Sequence, residues 1–345
     1  MRLISARIWA LVVFSAILQL AIFPVAGPLP AWRSALSWFA LVPFFLAILS
    51  PDRNGKSLPL LSTASLGYVC GILWYGGNCY WIYQTMYLYG GLPKPVAFTI
   101  LVLFSLYLGL YHALFAVLVA LAGRSRYGRL GALCLTPFAW VAVELARAHI
   151  TGFPWDLLGN SQVDNLLITR IAPVAGVMGI SFLVAAINAG LSSLFFVPRT
   201  GRTYMQAIAG IFALAILLIV NAGMHDVASS KKTTDYAIMM QENLSVGAVG
   251  REERPPSPVE ELTSFSYLSV NPGYSYDLGQ GALSFLRLPQ GTHPTIIVWP
   301  EAPSHLQSND PTFRAAMSRL ATATGAPLII GSLGVDFDPP SPRGY

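Results

Sequence analysis

A polytopic α-helical membrane bundle of seven spans, followed by a partial α/β domain, is the fold class the sequence predicts, and three observations carry it. Hydrophobic residues make up 54% of the 345-residue chain and charged residues only 11%, against roughly 25% charged in an ordinary soluble domain. The apolar positions gather into seven runs, near 8–25, 34–50, 59–82, 95–122, 130–149, 167–197 and 204–223, each close to the ~20 residues that cross a bilayer. Behind them, short β-branched runs alternate with helix-like stretches, the pattern of a layered α/β domain with parallel strands.

The first run has a rival reading as a cleaved signal, because Arg2 and Arg7 precede it. The segment Phe23-Pro24-Val25-Ala26-Gly27 is a poor cleavage site, so the run is kept as a span. One set of alternate loops holds Arg2, Arg7, Arg53, Lys56, Arg124, Arg126, Arg129, Arg199 and Arg202, whereas the opposite set holds only Arg33, Lys94, Arg147 and Arg170. Positive loops stay inside. The N-terminus is therefore expected in the cytoplasm and everything after residue 223 outside it. This gives a transmembrane domain over 1–228, a polar linker over 229–234 and a second domain over 235–345.

Within that second domain the pattern predicts a strand at 236–240 and a helix at 259–270, broken by Asn271-Pro272-Gly273. A further helical piece near 281–288, a strand at 295–299, a helix at 311–324 and a strand at 327–331 follow. Three strands do not close a sheet, so residue 345 is expected to fall in mid-domain.

Charge excludes one function class. Residues 1–230 hold 13 Lys/Arg and 5 Asp/Glu, whereas residues 231–345 hold 8 and 11. The basic excess belongs to membrane topology, and no nucleic-acid partner is expected. Cys70, Cys79 and Cys134 all fall in or at the ends of apolar runs, where thiols act as small buried hydrophobes. The histidines, at 112, 149, 225, 293 and 305, lack metal-ligand spacing, and neither a metal nor a cofactor is expected.

The residues with chemical potential are few. Glu301 follows the run Thr295-Ile296-Ile297-Val298-Trp299-Pro300, which puts a carboxylate just past a strand's C-terminal end, where α/β folds place their chemistry. Glu144 and Arg147 are three apart, so a mutual ion pair on one helix face is the plain structural reading. Ionisable groups at membrane depth are costly and default to a functional one, in which Arg147 binds a phospholipid phosphate. Trp81, Phe153 and Trp155 stand at outward ends of spans, either as an interface belt or as walls of a lipid entrance. His112 is read as a hydrogen-bonding residue between helices.

Several segments together resemble one family. They are Gly77-Asn78 with Trp81 and Tyr83, Gly90-Gly91-Leu92-Pro93, Thr151-Gly152-Phe153-Pro154-Trp155 with Gly159 and Ser161-Gln162, then Gln241 and Asn243, and Trp299-Pro300-Glu301. The chain resembles the bacterial apolipoprotein N-acyltransferases, membrane members of the nitrilase superfamily, over roughly residues 60–335. Glu242 departs from the pattern, standing where the family has glycine. The resemblance implies a nitrilase-like αββα sandwich for the second domain and a Glu–Lys–Cys triad. It also implies ping-pong transfer of an acyl chain from a membrane phospholipid, through a Cys thioester, to the α-amino group of a diacylated apolipoprotein. Glu301 matches the general base. Lys231 and Lys232 do not match the lysine, and the lysine and cysteine are expected beyond Tyr345, so residues 1–345 alone are expected to be inactive. A monomer in the bacterial inner membrane, with its catalytic domain outside the cytoplasm, completes the implied picture. Two rival readings stay open: a membrane-anchored amidase of the nitrilase type, and a non-catalytic scaffold or transporter.

Overall fold

The computed structural model describes residues 4–23, 31–51, 55–165, 167–196, 210, 237–240, 257–270, 275–277, 282–284, 294–300 and 306–332. The chain divides into two compact units, Met1–Ser229 and Ser230–Tyr345.

The first unit is helical. Its main elements are α1 (Ala6–Ala21), α2 (Ala31–Leu36), α3 (Val42–Leu49), α4 (Leu60–Asn78), α5 (Tyr80–Gln84), α6 (Lys94–Gly123), α7 (Gly128–Ile150) and α8 (Ala172–Ser193), with a π-turn at Thr85–Tyr89 and 3₁₀ turns at Leu158–Gln162 and Thr169–Ile171. Helix α4 packs on α6, α6 on α7 and α7 on α8, while α1 lies against α3 and α4. Glycine sets the closeness of the α4–α6 pair. A methyl group added at Gly71 would stand 2.8 Å from the His112 Cβ and 2.9 Å from the Gly109 Cα. Small residues let the two backbones touch, which is how helices gain packing energy where no hydrophobic force acts between them. Phe98, Leu103, Leu110 and Leu114 of α6 turn outward and are exposed, an apolar surface suited to lipid tails.

Among the described residues, three stretches are long and apolar enough to cross a membrane: Lys94–Gly123, Gly128–Ile150 and Thr169–Ser193. Helix α1, at 16 residues, is a shorter apolar helix. The other runs are broken more than their composition suggests. The run at 59–82 ends as a helix at Asn78, with Cys79 off helical geometry (ψ 19°) before α5 begins. The run at 167–197 is interrupted inside α8 at Gly176, whose φ of 63° only glycine adopts readily. The run at 204–223, apart from Gly210, lies outside the described residues.

The sharpest departure is the run at 34–50, expected as one helix and found as two short ones flanking a turn at 37–41. The turn survives inside an apolar bundle because side chains from elsewhere satisfy its backbone. Asn188 of α8 accepts from the Leu41 N–H (2.9 Å) and donates to the Ser37 carbonyl (2.8 Å). Gln162 donates to the Ser34 carbonyl (2.9 Å) and the Ser37 hydroxyl (2.7 Å), and Ser15 of α1 donates to the Ala40 carbonyl (2.6 Å). Without such partners each freed backbone group would cost several kcal/mol in hydrocarbon.

The second unit holds a three-stranded parallel sheet in the order β1 (Ala237–Met239), β4 (Ile296–Val298), β5 (Leu328–Ile329), with Ile297 beside Ile238 on one flank and Leu328 on the other. The parallel strands match the expectation. The segment expected as a helix near 281–288 is instead β3 (Ala282–Ser284), paired antiparallel with β2 (Ser275–Asp277); a short Ala-Leu-Ser run has no helical period to hold it and gains ladder hydrogen bonds from its neighbour. Helices α9 (Pro258–Val270) and α10 (Pro311–Thr324) pack on each other. Both start on strong signals: Ser257 and Glu260 form a reciprocal capping box (2.6 and 3.3 Å), and Asp310 caps Thr312 and Phe313 ahead of Pro311. Gly325, at φ 64°, ends α10. Ile238, Phe265, Ile297, Phe313 and Leu320 form the shared core.

Candidate functional site

The residues singled out in the sequence converge at the end of α7 and the loop that follows it. Glu144 and Arg147 share a helix face, and both are buried, at 6% and 2% exposure. Their expected ion pair is not what the structure builds. The Glu144 Oε1 accepts from the Trp140 indole N–H (2.9 Å) and from the Leu158 backbone N–H (2.7 Å), so it caps the 3₁₀ turn at Leu158–Gln162. The Arg147 guanidinium turns the other way. It donates to the Tyr75 hydroxyl (2.9 Å) and to the Asp156 carbonyl (3.3 Å), and lies 5.8, 5.5 and 5.7 Å from the ring centroids of Trp74, Tyr75 and Phe153. Aromatic faces surround its charge in place of a paired carboxylate. A hydroxyl and a carbonyl oxygen on separate elements can each bind one side of a forked cation, which a single Glu on the same helix cannot match.

The loop itself is tightly specified. Thr151 ends α7, and its hydroxyl shares hydrogen bonds with the Tyr111 hydroxyl at 2.6 Å and the Tyr107 hydroxyl at 3.2 Å. Gly152 takes φ 68° and Asp156 φ 56°, the latter a conformation that Asp tolerates better than most side chains. Phe153 is buried between Phe104 (5.0 Å) and Trp155 (5.1 Å), while Trp155 itself is 55% exposed. The Asp156 carboxylate meets the Cys79 thiol (3.5 Å). Burial pushes the Asp156 carboxyl above the usual carboxylate range, and the nearby Cys79 thiol and Arg147 guanidinium only partly offset this. The contact also brings the start of α5 to the loop. Trp81, on α5, is 40% exposed. Beyond it Tyr83 and Tyr87 stack (6.0 Å) and Lys94 lies over the Tyr87 ring (4.9 Å).

Two sequence expectations need correction, and a third residue is placed in more detail. The His112 Nε2 has no protein partner, and its ring packs against Trp74 and Trp140 (5.2 and 5.7 Å). Cys134 is exposed rather than buried, whereas Cys70 and Cys79 are fully buried. The Glu144–Arg147 pair is replaced by separate networks, as above. The sequence reading missed Tyr75 and Asp156 as the partners of Arg147. A tyrosine 72 residues away carries no local signal, although an acidic residue at an interface loop could have raised suspicion.

In the second unit Trp299 is a strand anchor: it is 3% exposed, packs at a tilt against Phe265 (5.0 Å) and donates its indole N–H to the Ser269 hydroxyl (2.9 Å). It follows the central strand of the parallel sheet. Glu301 lies outside the described residues.

Comparison with known proteins adds the family. The apolipoprotein N-acyltransferase N-terminal domain matches residues 15–190. Proteins named apolipoprotein N-acyltransferase from Geobacter metallireducens and Methylococcus capsulatus are 34% and 29% identical, over 63% and 85% of this chain and 39% and 55% of their own length. One from Coxiella burnetii is 36% identical over 53% of this chain and 38% of its own. The chain spans about two fifths to just over half the length of these relatives. With more than half of its residues under the family's N-terminal domain, the chain belongs to the apolipoprotein N-acyltransferase family.

Proposed function

We propose that this chain is part of an inner-membrane apolipoprotein N-acyltransferase, which moves an acyl chain from a membrane phospholipid to the α-amino group of a diacylated apolipoprotein through a Cys thioester. The family match over residues 15–190 carries the reading. The sequence order supports it too, because Glu301 follows by three residues the end of β4, the middle strand of a parallel sheet, and reactive groups gather beyond the carboxyl ends of such strands.

In this reading residues 1–228 cross the membrane seven times, the pair α2–α3 making one broken crossing, with the N-terminus in the cytoplasm. Residues 235–345 belong to an αββα nitrilase-like domain on the far side, after a linker at 229–234. The protein acts as a monomer. Glu301 is the general base. It takes the proton of the nucleophilic thiol, the thiolate attacks the phospholipid ester carbonyl, and Glu301 gives that proton to the lysophospholipid oxygen as it leaves and the thioester forms. Glu301, again a carboxylate, then takes a proton from the incoming amine and returns it to the thiolate that the amine displaces as the amide forms. A lysine ammonium offsets the charge on each tetrahedral intermediate. We assign the lysine and thiol roles to no residue of 1–345. Trp81 and Trp155, both exposed, line the lipid entrance; Phe153 and Arg147 shape it from within by fixing the loop.

The test uses the full-length protein with phospholipid vesicles and a diacylated lipopeptide. Glu301→Gln keeps the shape but cannot accept the proton, so trapped thioester should form at least ~10²-fold more slowly. A variant that acylates at the unaltered rate removes Glu301 from the mechanism.

A further inference from the structure

A small cavity inside the helical bundle is lined by Trp74 and Tyr75 of α4, Tyr111 and His112 of α6, and Trp140 and Glu144 of α7, among others. Three side chains on it carry polar atoms with no hydrogen-bond partner: the Trp74 Nε1, the His112 Nε2 and the Glu144 Oε2. All three residues are more than nine-tenths buried, at 3%, 5% and 6% exposure. They belong to one packed group, since the Trp74 and His112 ring centroids are 5.2 Å apart, His112 and Trp140 are 5.7 Å apart, and Trp140 is bonded to Glu144 through its Oε1 at 2.9 Å. A lone buried polar atom of this kind costs about 1–3 kcal/mol, so three around one cavity are costly unless something occupies it.

The chemistry of the three atoms selects the occupant. An indole N–H only donates and a carboxylate oxygen only accepts, whereas an imidazole nitrogen does either. A simple anion leaves Glu144 unmet and brings two negative charges together. A simple cation leaves Trp74 unmet and lies near the Arg147 guanidinium, which also lines the cavity. The cavity volume is ≈ 20 Å³, above the about 10–15 Å³ that a single water requires. We propose that this cavity is a binding site for one ordered water, which accepts from the Trp74 indole, donates to the Glu144 Oε2 and bonds the His112 Nε2. The water ties α4, α6 and α7 together directly behind the Glu144 oxygen that caps the 158–162 turn.

Radiolytic hydroxyl labelling of the chain in lipid nanodiscs tests this, because radicals formed at a bound water mark the side chains that touch it. Trp74 and Tyr111 should be labelled despite their burial, whereas Phe44 and Phe45, both fully buried and not themselves part of the cavity lining, should stay unmarked. His112→Phe removes one partner and fills the space, and should lower labelling at Trp74 and Tyr111 several-fold while leaving exposed Trp155 unchanged. Unmarked Trp74 and Tyr111 in the unaltered chain would overturn the site. Equal marking of Phe44 and Phe45 would also overturn it, since water would then permeate the bundle generally. Full labelling retained in a folded His112→Phe variant would place the water elsewhere.

Discussion

Two polar joints in the same bundle make opposite use of buried hydrogen bonding. At the turn at 37–41, Asn188, Gln162 and Ser15 reach the freed backbone groups, and both the Asn188 amide oxygen and its nitrogen are engaged. At the cavity between α4, α6 and α7, three side-chain atoms are left without a protein partner. The first joint is closed and serves architecture, replacing the helix ladder that a continuous span supplies by itself. The second is open and holds capacity for a ligand. Arg147 lies between these extremes: its charge is deeply buried, but two oxygen acceptors and three rings meet it. Satisfied polar groups in an apolar bundle mark where the chain bends, and unsatisfied ones mark where something else belongs.

The largest effect expected from this comparison is at Arg147. Arg147→Ala removes a buried cation and strands the Tyr75 hydroxyl and the Asp156 carbonyl. Unfolding in a denaturant titration of the solubilised protein should become easier by about 3–5 kcal/mol, the usual cost of breaking a buried charge network. Arg147→Lys should recover little, because an ammonium lacks the planar fork that serves two oxygens at once. Near-complete rescue by lysine would mean that charge alone matters there.

Next comes the closed joint. Asn188→Leu leaves the Leu41 N–H and the Ser37 carbonyl without their partner, which should cost about 2–4 kcal/mol at ~1–3 kcal/mol per orphaned group, less what the two groups recover by relaxing. Glu144→Gln is the matching change at the open joint. The amide oxygen can still accept from Trp140 and Leu158, and the new NH₂ faces a site with spare acceptors and donors, so the cost should stay below about 1 kcal/mol. If Glu144→Gln proves the more damaging of the two in the same titration, the distinction between closed and open joints fails.

Asp156→Asn should be smaller still and may be read through pH. The Asp156 carboxyl is raised by burial, so the folded state holds its proton to higher pH than the unfolded chain, which releases it near about pH 3.9. Its contribution to stability is therefore greatest below that value and is lost as pH rises through the raised folded pKa. Asn, which also tolerates φ above zero, removes this slope. Melting temperature measured between acid and neutral pH should fall less steeply in the variant; an unchanged slope would show that other groups set it. The smallest stability effect is expected at Trp155, which is 55% exposed. Trp155→Ala should stay within about 0.5 kcal/mol of the parent, while use of phospholipid by the full-length protein falls. Equal losses of stability and activity would reduce Trp155 to an interface anchor.

Much of the second unit was legible because its signals are local. The Asp310-Pro311 start and Gly325 end of α10 lie within a few residues of the helix they bound, and the apolar run before Pro300 forms a strand in the expected parallel sheet. The 281–288 segment was misread because a short run with no clear period takes the conformation that its neighbour offers, and β2 offers an antiparallel edge.

The sequence by itself determined that the chain has a helical apolar half and an α/β half, since burying apolar side chains and satisfying backbone bonds leave few other ways to use such runs. It also determined which few residues were worth watching, because charges and aromatics are sparse against that background. Only the tertiary structure decided where the apolar runs break and whom the buried charges meet. The turn at 37–41 depends on an asparagine 147 residues beyond Leu41, and Arg147 depends on a tyrosine 72 residues before it. Hydropathy sums composition along a window, whereas a buried hydrogen bond is a relation between two points that only folding brings together.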